Sequence, residues 1–177
     1  EDLKVLKRWN KQTIIDDCGK GAIAEITKYE GFCFIPDHIN FQKSINGFYN
    51  SYEPISYKLE PNGTWDKIDM LLRHVFAEHY DLGLDFLTLL WQKPTQVLPI
   101  LCLVSEERNT GKTTFLNLLK AIFEGNMTLN TNEDFRSPFN SGWAGKLIIG
   151  VDEVLLDKKD DSERIKNLST AKYFKAE

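Results

Sequence analysis

Leu98-Pro99-Ile100-Leu101-Cys102-Leu103-Val104-Ser105 leads into Glu106-Glu107-Arg108-Asn109-Thr110-Gly111-Lys112-Thr113-Thr114, an apolar run followed by a polar loop that ends in Gly-Lys-Thr-Thr. The run does not alternate, as a parallel strand covered on both faces requires, and Pro99 at its start costs no interior ladder bond. Beyond the loop, Phe115, Leu118, Leu119, Ile122 and Phe123 recur at helical spacing, and Gly125 supplies a stop. The predicted order is strand, loop, helix. A second apolar run, Leu147-Ile148-Ile149-Gly150-Val151, ends in Asp152-Glu153 and predicts another strand over residues 146–152. Between them, Asn130-Thr131-Asn132 and Ser137-Pro138-Phe139-Asn140-Ser141-Gly142 carry loop chemistry around a short connecting segment.

Together these parts read as the two halves of a nucleoside-triphosphate site, with ATP and Mg²⁺ as its expected cofactors. Backbone N–H groups at the start of a helix attract phosphate, and a carboxylate at the end of a neighbouring strand serves a metal and a water. Gly111 lets the backbone approach phosphate without a Cβ, and Lys112 brings its ammonium to the β and γ phosphates. Asn109, Thr110 and Thr114 complete the cradle around them. Thr113 is a Mg²⁺ ligand through its hydroxyl, and Asp152 holds the same ion directly or through water. Glu153 is positioned to orient and deprotonate the attacking water. One position departs from the pattern G-x-x-x-x-G-K-[ST], which has glycine where this chain has Glu106. Two carboxylates, Glu106 and Glu107, would repel a triphosphate if they pointed inward, so both are expected to face solvent or to pair with Arg108.

The 177 residues suffice for one sizeable domain, or one and a half, burying roughly 70% of the unfolded surface. With 42% hydrophobic and 27% charged residues, and no apolar run near the roughly 20 residues of a membrane span, the composition is that of a soluble chain with no membrane partner. Glu1-Asp2-Leu3-Lys4 lacks the basic start and apolar core of a secretory signal, and Cys18, Cys33 and Cys102 have no metal-ligand spacing, which fits reduced thiols in a cytoplasmic setting. The net charge of −4 excludes a broadly basic nucleic-acid coat. Any DNA contact must be local; Lys166, Lys172 and Lys175 offer one such cluster, although Asp160, Asp161, Glu163 and Glu177 dilute it and a solvated mixed-charge face is the commoner reading of such a stretch.

Residues 1–60 read as a small mixed α/β or linker subdomain, broken by Gly19, Gly21, Gly31, Pro36 and Gly47 and holding the aromatic pairs Phe32, Phe34 and Phe48, Tyr49. Glu60-Pro61-Asn62-Gly63 is a turn, after which Thr64 is expected to cap a helix whose stripe is Ile68, Leu71, Leu72, Val75 and Phe76. Residues 84–91 are apolar nearly all round, a second helix stopped by Pro94. Residues 61–94 thus form a helical collar, and residues 95–177 the phosphate-loop part. His38, His74 and His79 have no partners at metal-ligand spacing, and Trp65, Trp91 and Trp143 adjoin apolar segments as core anchors.

The string from Ser105 to Phe115, with Asn-Thr-Gly-Lys inside it, resembles the phosphate loop of superfamily-three helicases, and Lys146-Leu147-Ile148-Ile149-Gly150-Val151-Asp152-Glu153 resembles their acidic strand. The collar and the strand before the loop resemble the phage and plasmid primase-helicase branch. This resemblance, over roughly residues 60–177, implies an AAA+-like P-loop parallel-sheet core of the α/β class behind a small helical collar. It also implies ATP-driven movement on single-stranded DNA by a self-associated ring, a hexamer in that family. Arg164-Ile165-Lys166-Asn167-Leu168-Ser169-Thr170, on to Lys175, resembles the start of the family's DNA-touching segment. The polar sensor and the arginine that reaches a neighbouring subunit have no counterpart before Glu177, so the chain reads as the first part of the motor, a truncated core. Two other readings use the same residues: a P-loop ATPase acting as a signalling or defence switch, and a scaffold in which Glu106 blocks nucleotide.

Overall fold

The computed structural model describes residues 9–137, 142, 143, 145–152, 162, 163 and 165–167. Asn10, whose side chain accepts from the Gln12 N–H, caps α1 (Lys11–Cys18), and a single turn, α2 (Ala22–Glu25), follows. Next comes a small sheet of β1 (Gly31–Cys33), β2 (Ser44–Ile45) and β3 (Phe48–Asn50), in the order β1-β3-β2. Asn46 and Gly47, at φ +49° and +83°, make the two-residue turn between β2 and β3, the geometry that Asn-Gly favours in hairpins. Phe32 and Tyr49 are in register on adjacent strands, so they share one face of this sheet, and Phe32 is left largely exposed there. Asn50 is buried, and all four of its amide bonds are made: it accepts from the Ile35 and Tyr52 N–H groups and donates to the Ile35 and Gln42 carbonyls.

The segment expected to form the collar holds α3 (Asp66–Phe76) and α4 (Tyr80–Gln92), joined by a 3₁₀ turn at Ala77–His79 that begins with Ala77 at φ +47°. The stripe read from the sequence buries Leu72 and Phe76. Gly83 is demanded by packing, since a Cβ there would stand 2.5 Å from the Phe76 ring. Thr64 is not the cap expected of it: α3 starts one residue later, behind Trp65, with no side-chain cap bond. Trp65 is also no core anchor, being 49% exposed, whereas Trp91 packs against the core and Trp143 is buried.

Helix α5 (Lys112–Phe123) crosses the collar, and β4 (Met127–Asn130), α6 (Asn132–Arg136) and β5 (Ile148–Val151) follow. Strands β4 and β5 pair in parallel, Met127 opposite Ile148 through Asn130 opposite Val151. Leu72 and Phe76 of the collar meet Phe115, Leu119 and Phe123 of α5 and Met127 of β4 in one core, with Phe76 and Phe115 edge to face at 5.4 Å. Full burial of such side chains stabilises by roughly 1.5–3 kcal/mol each, so this cluster fixes α5, and with it the loop, against the collar. The α5 stop is Glu124 at φ +48° rather than Gly125, whose small size instead admits Glu53, the carboxylate of which would overlap a Cβ. The N-terminal part is tied on at this corner: Asn126 exchanges two bonds with the Glu53 peptide groups, Ser56 bonds Glu124, and the Tyr57 hydroxyl donates to the Ile122 carbonyl.

The strand expected over residues 98–104 is a correction. This segment pairs with no strand among the described residues, and Ile100 and Val104 stand 52% and 90% exposed. An apolar run becomes a strand only when a neighbour takes its N–H and C=O groups. Of its side chains, Leu103 alone joins the core. Of the parallel core expected, the described residues therefore contain the β4-β5 pair, within a small mixed α/β fold. None of the described helices is long and apolar enough to cross a membrane.

Candidate functional site

The loop's shape comes from two backbone positions. Asn109 sits at φ +59° and Gly111 at φ +83°. Asparagine is one of the few side chains that tolerates the left-handed region, and glycine enters it freely. A Cβ on Gly111 would meet Leu71, His74 and Val75 of α3 only at ordinary contact distances of 3.6–3.8 Å, so the glycine answers to backbone angle rather than to crowding. The same contacts place the loop directly against the collar helix. Immediately afterwards α5 begins, its first backbone bond running from the Phe115 N–H to the Gly111 carbonyl. The N–H groups of the first turn before that bond point out of the helix, at the positive end of its dipole.

Lys112 turns its ammonium back over the loop, donating to the Thr110 hydroxyl at 2.9 Å and to the Ser105 hydroxyl. Thr113, one residue on, donates from Oγ1 to Asp152 Oδ2 at 2.9 Å. Asp152 is held in place by the β4-β5 ladder, which its N–H extends with a bond to the Asn130 carbonyl at 3.2 Å. Thus two neighbouring residues at the head of α5, Lys112 and Thr113, are joined there by a carboxylate from far along the chain, Asp152. Thr114 is exposed on the first turn, and Asn109 is exposed on the loop.

The donor set fits the group that the sequence implies. A hydroxyl and a single carboxylate are hard oxygen ligands, and Mg²⁺ in phosphate sites uses one or two carboxylates with phosphate and water completing its shell. Among the described residues no group of three or more His, Cys, Asp or Glu gathers as a metal cage. Glu106, Glu107 and Arg108 are all exposed, as expected of the two carboxylates, and no ion pair with Arg108 occurs among the described residues. Lys166 is exposed in a helical stretch, while Glu153, Lys172 and Lys175 lie outside the described residues.

Two features went unread in the sequence. Ser105 has no role in the G-x-x-x-x-G-K-[ST] pattern, yet its hydroxyl contacts Thr110 and Lys112 together. His38, which carries no metal-ligand spacing, sits in a loop, stacked on Trp91 with centroids 4.4 Å apart and bonded through Nδ1 to the Tyr52 hydroxyl. Its Nε2 is buried without a hydrogen-bond partner among the described residues. Burial lowers the His38 pKa and pushes that of Tyr52 up to about 12. His38 is thus a neutral packing piece between the N-terminal part, α4 and α5. His74 and His79 are exposed on the collar.

Comparison with known proteins adds one family model and two solved structures. Residues 103–177 match a family of unknown function (DUF5906), a match that begins just ahead of the loop. The C-terminal region of NrS-1 (305–718), solved in its apo form, is 25% identical at a TM-score of 0.65, covering 90% of this chain. The A form of the apo NrS-1 C-terminal region is 22% identical at a TM-score of 0.62, over 94% of this chain. This chain spans 40% and 42% of those two solved chains, so it resembles part of that region. No curated protein sequence matches.

Proposed function

We propose that this chain carries the nucleotide-binding part of a DNA-acting, ring-type ATPase of the phage or plasmid primase-helicase kind, within superfamily three. The observation that carries the reading is the contact between Thr113 and Asp152 beside Lys112. It brings the two sequence motifs to one point, where a Mg²⁺-nucleotide needs both. Bound there, Mg²⁺ would neutralise charge on the phosphates. Lys112 would bind the β and γ phosphates, the first turn of α5 would add N–H donors, and Asn109, Thr110, Gly111 and Thr114 would shape the cradle. Glu153 is assigned to orient the water that attacks.

The exposure of Glu106 and Glu107 supports nucleotide binding over a blocked scaffold, because it leaves the cradle's charge to Lys112. The likeness to the NrS-1 C-terminal region supports the fold side of the proposal. Movement on single-stranded DNA, assembly into a hexameric ring and contacts from Lys166, Lys172 and Lys175 belong to the same proposal. The test is ATP turnover by the full-length protein with and without single-stranded DNA. Stimulation that disappears in Lys112→Ala is the expected result, and turnover indifferent to DNA would instead favour an ATPase switch.

A further inference from the structure

Ser105 stands outside the phosphate-loop pattern, but its hydroxyl is the junction of the loop's polar contacts. It donates to the Glu107 carbonyl at 2.8 Å, meets Thr110 Oγ1 at 2.9 Å and accepts from the Lys112 ammonium. Thr110 accepts from the same ammonium at 2.9 Å. The protons can be assigned from these contacts. A serine hydroxyl has one proton and two lone pairs; with the proton given to Glu107, the lone pairs take the Thr110 hydroxyl and Lys112. Thr110, having donated to Ser105, accepts from Lys112. Two of the three ammonium protons are then held by fixed hydroxyls, and the third is directed by them.

This closed circuit spans the loop from Ser105, the residue just before it, to Lys112 at the head of α5. It also sits where the chain departs from the usual pattern, since Glu106 replaces the glycine that ordinarily eases the turn. We propose that Ser105 is a positioning residue for nucleotide binding: with Thr110 it clasps the loop and aims the Lys112 ammonium at the triphosphate. The proposal rests on the nucleotide-binding reading above and adds to it a residue that the motif does not contain. A lysine held by two hydroxyls loses less side-chain freedom when phosphate arrives than one that is free to rotate.

The experiment is titration of a fluorescent ATP analogue with Mg²⁺ into the wild-type chain and into Ser105→Ala, Ser105→Thr, Thr110→Val and Lys112→Ala, with melting temperatures recorded for each. Wild type should bind, and Lys112→Ala should not. Ser105→Ala should weaken binding by roughly tenfold or more, the scale of a lost hydrogen bond to a charged group. Ser105→Thr, which keeps the hydroxyl, should restore most of that loss, a recovery that a merely structural role would not produce. Thr110→Val removes the other hydroxyl and should reproduce the weakening even if Ser105→Ala folds poorly. Binding by Ser105→Ala and Thr110→Val equal to wild type, with Lys112→Ala inactive, would overturn the clasp while leaving the nucleotide site standing. Equal loss in Ser105→Ala and Ser105→Thr would also overturn it. Wild type and Lys112→Ala behaving alike would overturn the nucleotide reading itself, and the clasp with it.

Discussion

The Thr113 hydroxyl donates to the Asp152 carboxylate at 2.9 Å, joining the first turn of α5 to the end of β5. Strand register secures the arrangement, since the pairing of Asn130 with Val151 leaves the next residue, Asp152, extending the ladder toward the loop. Asp152→Asn keeps the shape and removes the charge. The expected outcome is nucleotide binding that no longer responds to Mg²⁺, weakened roughly tenfold, with the fold intact. Titrations with and without Mg²⁺ check this, and an undiminished Mg²⁺ response would remove Asp152 from the site.

Asn126 is 1% exposed, and its amide accepts from the Glu53 N–H at 2.9 Å while donating to the Glu53 carbonyl at 2.7 Å. Asn126→Ala would strand both backbone groups in the joint between the N-terminal part and the end of α5. The cost should be about 2–4 kcal/mol, read as a lower denaturation midpoint. A change within about 0.5 kcal/mol, the range of surface substitutions, would mean that this joint is not structural.

His38 sets an acid-side limit on stability. Its folded pKa lies below the ordinary 6.5 because burial disfavours the charged ring, an effect that the neighbouring Asp37 only partly offsets. The unfolded chain therefore takes up the proton first. The His38 contribution is complete above about pH 6.5 and is lost as pH falls below that value toward the lowered folded pKa. Melting temperature should decline as pH falls from about 7 through 6.5, and His38→Phe should flatten this decline. Asp37, Asp69 and Asp134 have lowered pKa values, so their contributions persist above about 3.8 and fade only in stronger acid, outside that window. Parallel pH profiles for His38→Phe and wild type would contradict the assignment.

Much of this architecture was readable because the signals were periodic or chemically narrow. The stripe from Ile68 to Phe76 and the repeat from Phe115 to Phe123 specify helices whose apolar faces must meet, and they do so around Phe76 and Phe115. The Gly-Lys-Thr loop and the acidic strand end name oxygen and nitrogen groups, and their meeting follows from a parallel ladder. Residues 98–104 were harder to place, because an apolar run states that burial is favourable without stating what provides the neighbour. The Asn46-Gly47 turn was a legible hairpin signal that went unused. His38 and Ser105 were not legible: a lone histidine carries no periodicity, and the serine acts only through contacts that folding creates.

The most direct test is equilibrium binding of a fluorescent ATP analogue with Mg²⁺ to this chain and to Lys112→Ala. The account predicts saturable binding to the native chain that is lost in the variant, with both proteins melting at similar temperatures. Negligible binding to both, or equal binding to both, would contradict it.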